Sequence, residues 1–140
     1  MGAAENKQVL QRAFEELALG NSEAFIAALG DDVRWTVTGT TPFSRTFEGK
    51  PVVLAKLLGP LRAEIDGRMK LTAQRMVAEG DFVVVEARGQ STTRSGQEYN
   101  NRYCMVCRME GGLVRELTEY LDTALVEATF SRAAAARSGA

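Results

Sequence analysis

The chain has 140 residues, of which 45% are hydrophobic and 25% charged, and its formal net charge is −1 at pH 7. This length and composition are typical of one globular domain with a sizeable core. Neither charge sign forms a long block, and no apolar run approaches the roughly 20 residues that cross a bilayer. We therefore expect no nucleic-acid partner and no membrane contact. The N-terminus lacks the hydrophobic segment of a signal peptide, which predicts a cytoplasmic protein.

The absence of histidine narrows the chemistry that the chain can perform. It excludes Ser-His-Asp and Cys-His catalysis and the metal motifs that contain histidine. Cys104 and Cys107 have the spacing of a redox or metal-binding C-x-x-C pair, which is one interpretation. On a strand, residues three apart point to opposite faces, which favours two separate reduced thiols and no bound metal.

Two helices are predicted at the start of the chain. Apolar residues recur at helical spacing over 4–19, and Gly20 is placed to end that helix. Asn21 and Ser22 then cap a second helix over 23–29. Together the two helices form a hairpin with a shared apolar side.

A strand and a third helix follow this hairpin. The alternation of apolar and polar residues over 31–39 predicts a half-buried strand. The segment 40–50 is irregular, with one short strand near its end. A third amphipathic helix then covers 51–65 and bends at Gly59 and Pro60.

The rest of the domain is predicted to consist of strands. Two of them cover 69–78 and 82–90. A long hairpin over 99–122 turns at Gly111 and Gly112, because adjacent glycines supply the positive φ angles that a tight turn needs. These four strands form an antiparallel meander.

The end of this hairpin also fits a helix. The sequence over 116–128 is rich in good helix formers, so propensity alone favours a helix, whereas the glycine turn and the alternation before it favour a strand. A last helix is expected over 124–130, and the tail 131–140, which lacks an apolar face, is expected to be flexible. Residues 1–130 are then a single α+β domain, a cone-shaped α+β barrel with three N-terminal helices packed on a curved, mainly antiparallel sheet.

One carboxylate falls within an apolar row of the hairpin. Side chains two residues apart on a strand share a face, so Glu119 faces a row of the first hairpin strand that contains Tyr103 and Met105. A carboxylate among apolar side chains loses hydration, and its pKa should rise toward neutral pH. Glu119 is therefore a candidate general acid/base, and the alternative is a structural carboxylate hydrogen-bonded to Tyr103, Asn101 or an arginine. The face of Glu119 is expected to carry Leu113, Arg115, Leu117 and Leu121.

Four segments of the chain match a known pattern: FEELALGNSEAFIAAL, DDVRWTVTG, FEGK and RYCMVCRMEGGLVRELTEYLDT. With the order of the elements, they resemble the nuclear-transport-factor-2-like superfamily, in particular SnoaL-like polyketide cyclases and ketosteroid-isomerase-related proteins. The resemblance covers about residues 5–130. It implies the cone-shaped fold, on which this superfamily hosts isomerases, hydrolases, cyclases and non-catalytic binders.

The resemblance also implies where functional residues would lie. The general-base aspartate, oxyanion tyrosine and protonated aspartic acid of the isomerases align, in that order, with Val37, Phe14 and Met105. The arginine and two aspartates of the related limonene-epoxide hydrolases align with Ala87, Gly89 and Glu119. Only Glu119 keeps a carboxylate, so neither known mechanism is intact in this sequence.

A deep and largely hydrophobic pocket is the expectation that remains. Its expected catalytic residues are Glu119 and Tyr103, and its other lining residues are expected to be Phe14, Trp35, Val37, Leu58, Val85, Ala87, Asn101, Met105 and Leu121. Glu119 would move a proton on a small hydrophobic carbonyl or epoxide compound without metal or organic cofactor. Tyr103 and Asn101 would orient the substrate oxygen. The alternative is a non-catalytic module that binds a small hydrophobic ligand, or a dimerisation scaffold.

The resemblance further implies a homodimer, because the outer face of the sheet commonly pairs two subunits in this superfamily. On this face we expect a mixed polar surface with Glu86, Arg88, Arg102, Arg108 and Glu116.

Overall fold

The structure is a computed structural model that describes the backbone of residues 2–138 and the side chains of residues 2–130. Its helices are α1 (Ala3–Leu17), α2 (Glu23–Ala27), α3 (Lys50–Val52), α4 (Gly59–Glu64) and α5 (Thr123–Ser138), and a π-helical segment, Val53–Leu58, joins α3 to α4. Its strands are β1 (Leu29–Val37), β2 (Thr46–Glu48), β3 (Ile65–Glu79), β4 (Phe82–Thr93), β5 (Arg102–Glu110) and β6 (Leu113–Leu121). Within the described part of the chain, none of the helices has both the length and the apolar character that a membrane crossing requires.

These six strands form one sheet in the order β2-β1-β6-β5-β4-β3. From β3 to β6 each strand pairs antiparallel with the next, which confirms the predicted four-stranded meander. β1 pairs parallel with β6, and the short β2 pairs antiparallel with β1. The architecture is the predicted α+β fold, with helices on a mainly antiparallel sheet.

The first two helices cover the inner face of the sheet, the face that carries the buried side chains. Phe14 on α1 meets Phe25 on α2 edge-on, with ring centroids 5.7 Å apart, and Phe25 meets Trp35 on β1 at 5.9 Å. Edge-to-face packing stabilises such pairs beyond the burial of their apolar area. Both helices end two residues earlier than predicted, and Leu29 begins β1 instead of ending α2.

The third helical stretch deviates from α-helical geometry just before the predicted bend at Gly59 and Pro60. Here Val53–Leu58 winds as a π-helix, and its Leu57 lies in the core. Pro60 has no N–H to donate, and a Cβ atom at Gly59 would lie 3.0 Å from the carbonyl oxygen of Leu54. The wider π-helical turn accommodates the missing donor and this close approach of the backbone.

The second strand of the hairpin carries a β-bulge near its start. The pairing of β5 with β6 shifts by one residue between Arg108 and Met109. The bulge turns Val114 inward, where it is fully buried. The expectation that Leu113 and Arg115 share the face of Glu119 is therefore wrong, because a bulge inserts one residue and reverses the alternation on one side of it.

The chain changes from strand to helix at Asp122. β6 ends at Leu121 and α5 begins at Thr123, so the ambiguous segment is a strand followed by a helix. The Asp122 carboxylate accepts the backbone N–H of Leu125 at 3.2 Å. This contact caps the start of α5, because the carboxylate satisfies a backbone N–H that has no partner within the helix.

The last helix is longer than the one predicted over 124–130, and its backbone continues to Ser138. The side chains of 131–140 lie outside the described residues, and the flexibility expected of this tail stays a prediction. Where α5 meets the sheet, a second buried apolar cluster forms from Ile65, Tyr99, Val126 and Phe130. This cluster packs α5 against the segment that precedes β5 and against the start of β3.

The outer face of the sheet is mixed polar. Arg34 pairs with Glu48 at 3.1 Å and with Glu116 at 3.8 Å, and Arg108 pairs with Glu116 at 3.0 Å. Large apolar side chains are also exposed on this face: Val77, Phe82 and Tyr120. Exposed ion pairs of this kind contribute little to the free energy of unfolding.

Candidate functional site

A cavity of about 390 Å³ lies between the inner face of the sheet and the helices. Its walls are mostly apolar, and its size suits a small organic molecule. Among the residues expected to line a pocket, it is lined by Trp35, Val37, Leu58, Tyr103, Met105, Glu119 and Leu121. Apart from Leu58, which lies on the π-helical segment, these side chains share one face of β1, β5 and β6, because residues two apart on a strand point the same way.

The carboxylate of Glu119 projects from β6 into this cavity and is only 8% exposed. Its neighbours across the sheet are Val37 on β1 and Met105 on β5, both apolar and buried. The indole Nε1–H of Trp35 donates to Glu119 Oε1 at 3.1 Å. None of the ion pairs between described side chains includes this carboxylate.

Burial raises the pKa of Glu119 from its ordinary value of 4.5 to about 7, although the hydrogen bond from Trp35 acts in the opposite direction. Removing a carboxylate from water disfavours its charged form, and one neutral donor offsets only part of that cost. A carboxyl group with a pKa near neutrality exists in both forms at physiological pH. It can therefore accept a proton and give it back at that pH.

Two tyrosines line the cavity near this carboxylate. The amide Nδ2 of Asn101 donates to the hydroxyl of Tyr99 at 3.0 Å, and the Tyr99 and Tyr103 side chains are close enough to influence each other's pKa. Burial raises the pKa of Tyr103 well above its ordinary value, so its hydroxyl keeps its proton. A Cβ atom at Gly89 would lie 3.1 Å from the Tyr103 ring, so this ring packs directly on the glycine backbone.

Asn101 is a bracing residue behind this tyrosine pair and is not among the residues that line the cavity. It is 1% exposed, and its Oδ1 accepts the backbone N–H groups of Arg102 at 2.7 Å and Asp122 at 3.1 Å. Its Nδ2 also donates to the Asp122 carbonyl oxygen at 3.2 Å. The side chain thus ties β5 to the start of α5 and holds the Tyr99 hydroxyl in place.

Other residues expected in the pocket lie elsewhere. Phe14 and Val85 are buried in the main core, and Phe14 is separated from Trp35 by the ring of Phe25. Ala87 lines a second recess, together with Tyr103 and the outer-face arginines. A strand or helix pattern assigns the inner face but gives no depth along it, which is why these three residues could not be separated from the cavity walls.

Several residues that line the cavity were not predicted from the sequence. Apolar walls also come from Phe43, Leu57, Leu61, Met69, Leu71, Tyr99 and Val126. Tyr99 shares the inward row of Tyr103, and this signal could have identified it. The others come from the π-helical segment, α4, β3, α5 and the loop before β2, and their convergence depends on tertiary packing.

Polar residues form one end of the cavity, between the α1–α2 connection and α4 with β3. Arg62 Nη2 donates to Ser22 Oγ at 2.8 Å, and Arg68 Nη1 donates to Asn21 Oδ1 at 2.7 Å. Ser22 precedes α2 as expected, but its side chain makes no capping hydrogen bond. The predicted cap is therefore wrong in its contacts, because the hydroxyl accepts from Arg62 instead.

The two cysteines lie on opposite sides of β5. Cys107 is fully buried, Cys104 is half-buried, and both are free thiols. Burial raises the pKa of the Cys107 thiol to about 12, which leaves it protonated and unreactive. Among the described residues, no three side chains of His, Cys, Asp or Glu come close enough together to hold a metal ion.

Comparison with known proteins gives this architecture a family. The SnoaL-like domain family matches residues 10–117. An uncharacterized protein of Mycobacterium tuberculosis strain H37Rv is 27% identical over 120 residues, which cover 85% of this chain and 91% of that protein. A crystal structure of an NTF2-like protein of unknown function from Burkholderia pseudomallei superposes with a TM-score of 0.77 at 23% identity, covering 89% of this chain and 96% of that one.

A second crystal structure, of a candidate SnoaL-like polyketide cyclase from Jannaschia sp. CCS1, has a TM-score of 0.73 at 19% identity. It covers 92% of this chain and 93% of that one. These likenesses concern the fold, which supports many chemistries in unrelated proteins. The fold is that of NTF2-like proteins, and the chain belongs to the SnoaL-like domain family.

Proposed function

We propose that this protein is a cofactor-independent acid/base enzyme, of the isomerase, cyclase or hydrolase type. Its substrate is a small hydrophobic carbonyl or epoxide compound bound in the apolar cavity, and Glu119 is the proton carrier. One observation carries the proposal: a carboxyl group with a pKa of about 7 lies in an apolar cavity large enough for a substrate. Membership of a family with candidate cyclases supports this class of chemistry.

The geometry of Glu119 suits proton transfer in either direction. Trp35 holds Oε1, so Oε2 is the oxygen that meets the substrate. In its ionised form the carboxylate takes a proton from the carbon next to a carbonyl group, and in its neutral form it returns the proton to another carbon of the resulting enolate. With an epoxide, the neutral form donates its proton to the ring oxygen as the C–O bond breaks, and a water molecule attacks the carbon and then loses a proton. The apolar surroundings strengthen the electrostatic interactions of the carboxylate with the reacting atoms, because little water competes there.

The substrate oxygen requires a hydrogen-bond donor as its negative charge develops. Tyr99 and Tyr103 line the same cavity as Glu119, and the Tyr99 hydroxyl accepts a hydrogen bond from Asn101. A phenol that accepts a hydrogen bond from its neighbour becomes a better donor to a third group. The pair therefore acts as the donor site for the oxygen, with Asn101 as the residue that positions it.

Proton exchange tests this proposal without knowledge of the product. The protein is incubated in D₂O with a panel of cyclic ketones, enones and epoxides, and deuterium incorporation and isomer formation are followed by NMR. Glu119→Gln keeps the shape but removes the titrating group, so we expect the rate on any active compound to fall at least about a hundredfold. Glu15→Gln, on the exposed face of α1, is the control and should keep the rate. Full activity of Glu119→Gln would remove this carboxylate from the mechanism.

A second candidate function is non-catalytic binding of a small hydrophobic ligand. The observation that favours it is the apolar character of Phe14, Val37 and Met105, which occupy the positions of the isomerases' polar residues and are buried. A binder would retain ligands from the panel at equilibrium, and neither the wild-type protein nor any variant would exchange protons with them.

We also propose that the outer face of the sheet pairs two copies of the chain. Val77, Phe82 and Tyr120 are 57%, 46% and 51% exposed on this face, which is unusual for side chains of this size. Burying them between two copies would remove that apolar area from water. Light scattering coupled to size-exclusion chromatography measures the mass directly and is expected to give twice the 15.2 kDa of one chain.

A further inference from the structure

The polar end of the cavity, which we call its mouth, contains more positive than negative charge. Its lining residues there are Gly20, Ser22, Glu23, Arg62, Gly67 and Arg68. Two of these carry a positive charge and one carries a negative charge, so this end has a net charge of +1. Elsewhere in the lining, Glu119 is the acidic group with a pKa near 7, and its carboxylate accepts a hydrogen bond from Trp35.

The two arginines donate hydrogen bonds to neighbouring residues of the chain. Their acceptors, Asn21 Oδ1 and Ser22 Oγ, belong to consecutive residues of the α1–α2 connection. A Cβ atom at Gly20 would lie 3.2 Å from Cβ of Arg68, so this connection packs closely on the start of β3. Two side chains that contact one dipeptide converge on a single small region of the mouth.

Each guanidinium uses a small part of its hydrogen-bonding capacity in these contacts. A guanidinium has five N–H donors, and Arg62 and Arg68 each direct one nitrogen to a neutral acceptor. None of the ion pairs between described side chains includes either arginine. In contrast, Arg34 and Arg108 on the outer face are each paired with carboxylates. Both arginines at the mouth therefore have N–H donors left that can bind an anionic group of a ligand.

We propose that the substrate is an amphipathic carboxylate, with an apolar body that carries the reacting carbonyl or epoxide and a carboxylate group at one end. The apolar body lies against the cavity walls, and the carboxylate binds Arg62 and Arg68 at the mouth. Arginine pairs with carboxylates through parallel N–H to oxygen contacts, which fixes orientation as well as adding affinity. The anion at the mouth then directs the opposite, reacting end of the molecule toward Glu119.

This substrate class rests on the proposed function, because it treats the cavity as the substrate site. A structural role for the two arginines, as ties between the α1–α2 connection and the rest of the fold, is the competing explanation. The two explanations differ in what they predict for a matched pair of ligands. Loss of a tie weakens both ligands alike, whereas loss of an anion site weakens the charged ligand alone.

The probes are 4-cyclohexylbutanoate and its neutral amide, which share an apolar body and differ in charge. Binding is followed by the fluorescence of Trp35, the single tryptophan of the sequence, which lines the cavity. At neutral pH and low salt we expect the wild-type protein to bind the carboxylate about tenfold more tightly than the amide. This preference should fall as sodium chloride is raised, because both arginines are exposed and salt screens such charges.

The double variant Arg62→Gln/Arg68→Gln is expected to lose the preference and to bind the amide within about twofold of the wild-type protein. Arg12→Gln removes the same type of charge from the exposed face of α1 and should keep the preference. Glu23→Gln removes the acidic group of the mouth and should increase the preference for the carboxylate over the amide. An unchanged preference in the double variant, or a wild-type protein that binds both probes equally at low salt, overturns the proposal.

The same probes separate this proposal from the proposed function. Glu119→Gln, which should abolish turnover, is expected to keep the preference for the carboxylate. A preference that depends on the arginines without proton exchange on any compound would support the anion site and contradict the catalytic role. The salt dependence of the wild-type protein decides the question if the double variant does not fold, since a preference that salt leaves unchanged contradicts an electrostatic anion site.

Discussion

Glu119 should make the folded protein less stable as the pH rises. Burial raises its pKa from 4.5 to about 7, so the native state holds this proton more tightly than the unfolded chain does. The stabilisation that the native state gains from this proton is fully present below pH 4.5 and is lost as the pH rises toward 7. Above pH 7 it stays lost. Glu119→Gln removes the titration, and the variant should gain stability relative to the wild-type protein across this range.

The size of the effect follows from the two pKa values. At about 1.4 kcal/mol for each unit of pKa, the full cost of ionising the buried carboxyl is about 3 kcal/mol. Between about pH 5 and about pH 8 the wild-type protein should lose about 2.5 kcal/mol of unfolding free energy that the variant keeps. Stability of a domain is usually 5–15 kcal/mol, so a loss of this size is readily measured.

Urea unfolding at several pH values from about 5 to about 8 measures this difference. The relevant quantity is the free energy of unfolding of Glu119→Gln minus that of the wild-type protein, because the other titrating groups cancel in it. A glutamine amide changes the local hydrogen bonds, and this adds a constant that does not depend on pH. Glu15→Gln should give a difference that is flat across the range. A flat difference for Glu119→Gln as well would show that the carboxyl is ionised in the native state at every pH, and the reasoning would be refuted.

Three further substitutions test individual contacts. Trp35→Phe removes the hydrogen-bond donor to Glu119, so the pKa of the carboxyl should rise further. The limb of the pH–rate profile that depends on the base should then move to higher pH. A profile that does not move contradicts the contact. Gly89→Ala places a methyl group against the ring of Tyr103. It should lower kcat by at least about tenfold and the free energy of unfolding by about 1–3 kcal/mol. Unchanged kinetics would show that the position of the ring does not matter for the reaction. Tyr120→Glu adds charge to the outer face and should give a monomer by light scattering, and a dimer that persists would place the interface elsewhere.

The local pattern of the chain was enough to predict most of the sheet. Alternation assigned Trp35, Met105 and Glu119 to the inner face, and the structure brings them together. The parallel pairing of β1 with β6 could not be read from alternation, because it joins segments about 80 residues apart. The bulge that turns Val114 inward was also invisible, since a register shift depends on the partner strand as well as on the residue.

The site was predicted best where it lies on regular strands, and Leu58 is the predicted lining residue that comes from a helical segment. Glu119 was identified because one acid in an apolar row violates the expected pattern, and such violations often mark functional sites. The mouth is different, because Arg62 and Ser22 are 40 residues apart and both lie in sequences that are ordinary for a solvated surface. Their contact is a product of how α4 packs on the α1–α2 connection, and no local property of either residue predicts it.

The central claim is that Glu119 holds a proton near neutral pH inside the cavity. Carbon-13 NMR of protein labelled at the side-chain carboxyl of glutamate measures this directly, with Glu119→Gln identifying the resonance by its loss. We expect the Glu119 resonance to titrate with a pKa of about 7. A resonance that titrates near the ordinary value of 4.5 would contradict the claim and leave the cavity without an acid/base group of suitable pKa.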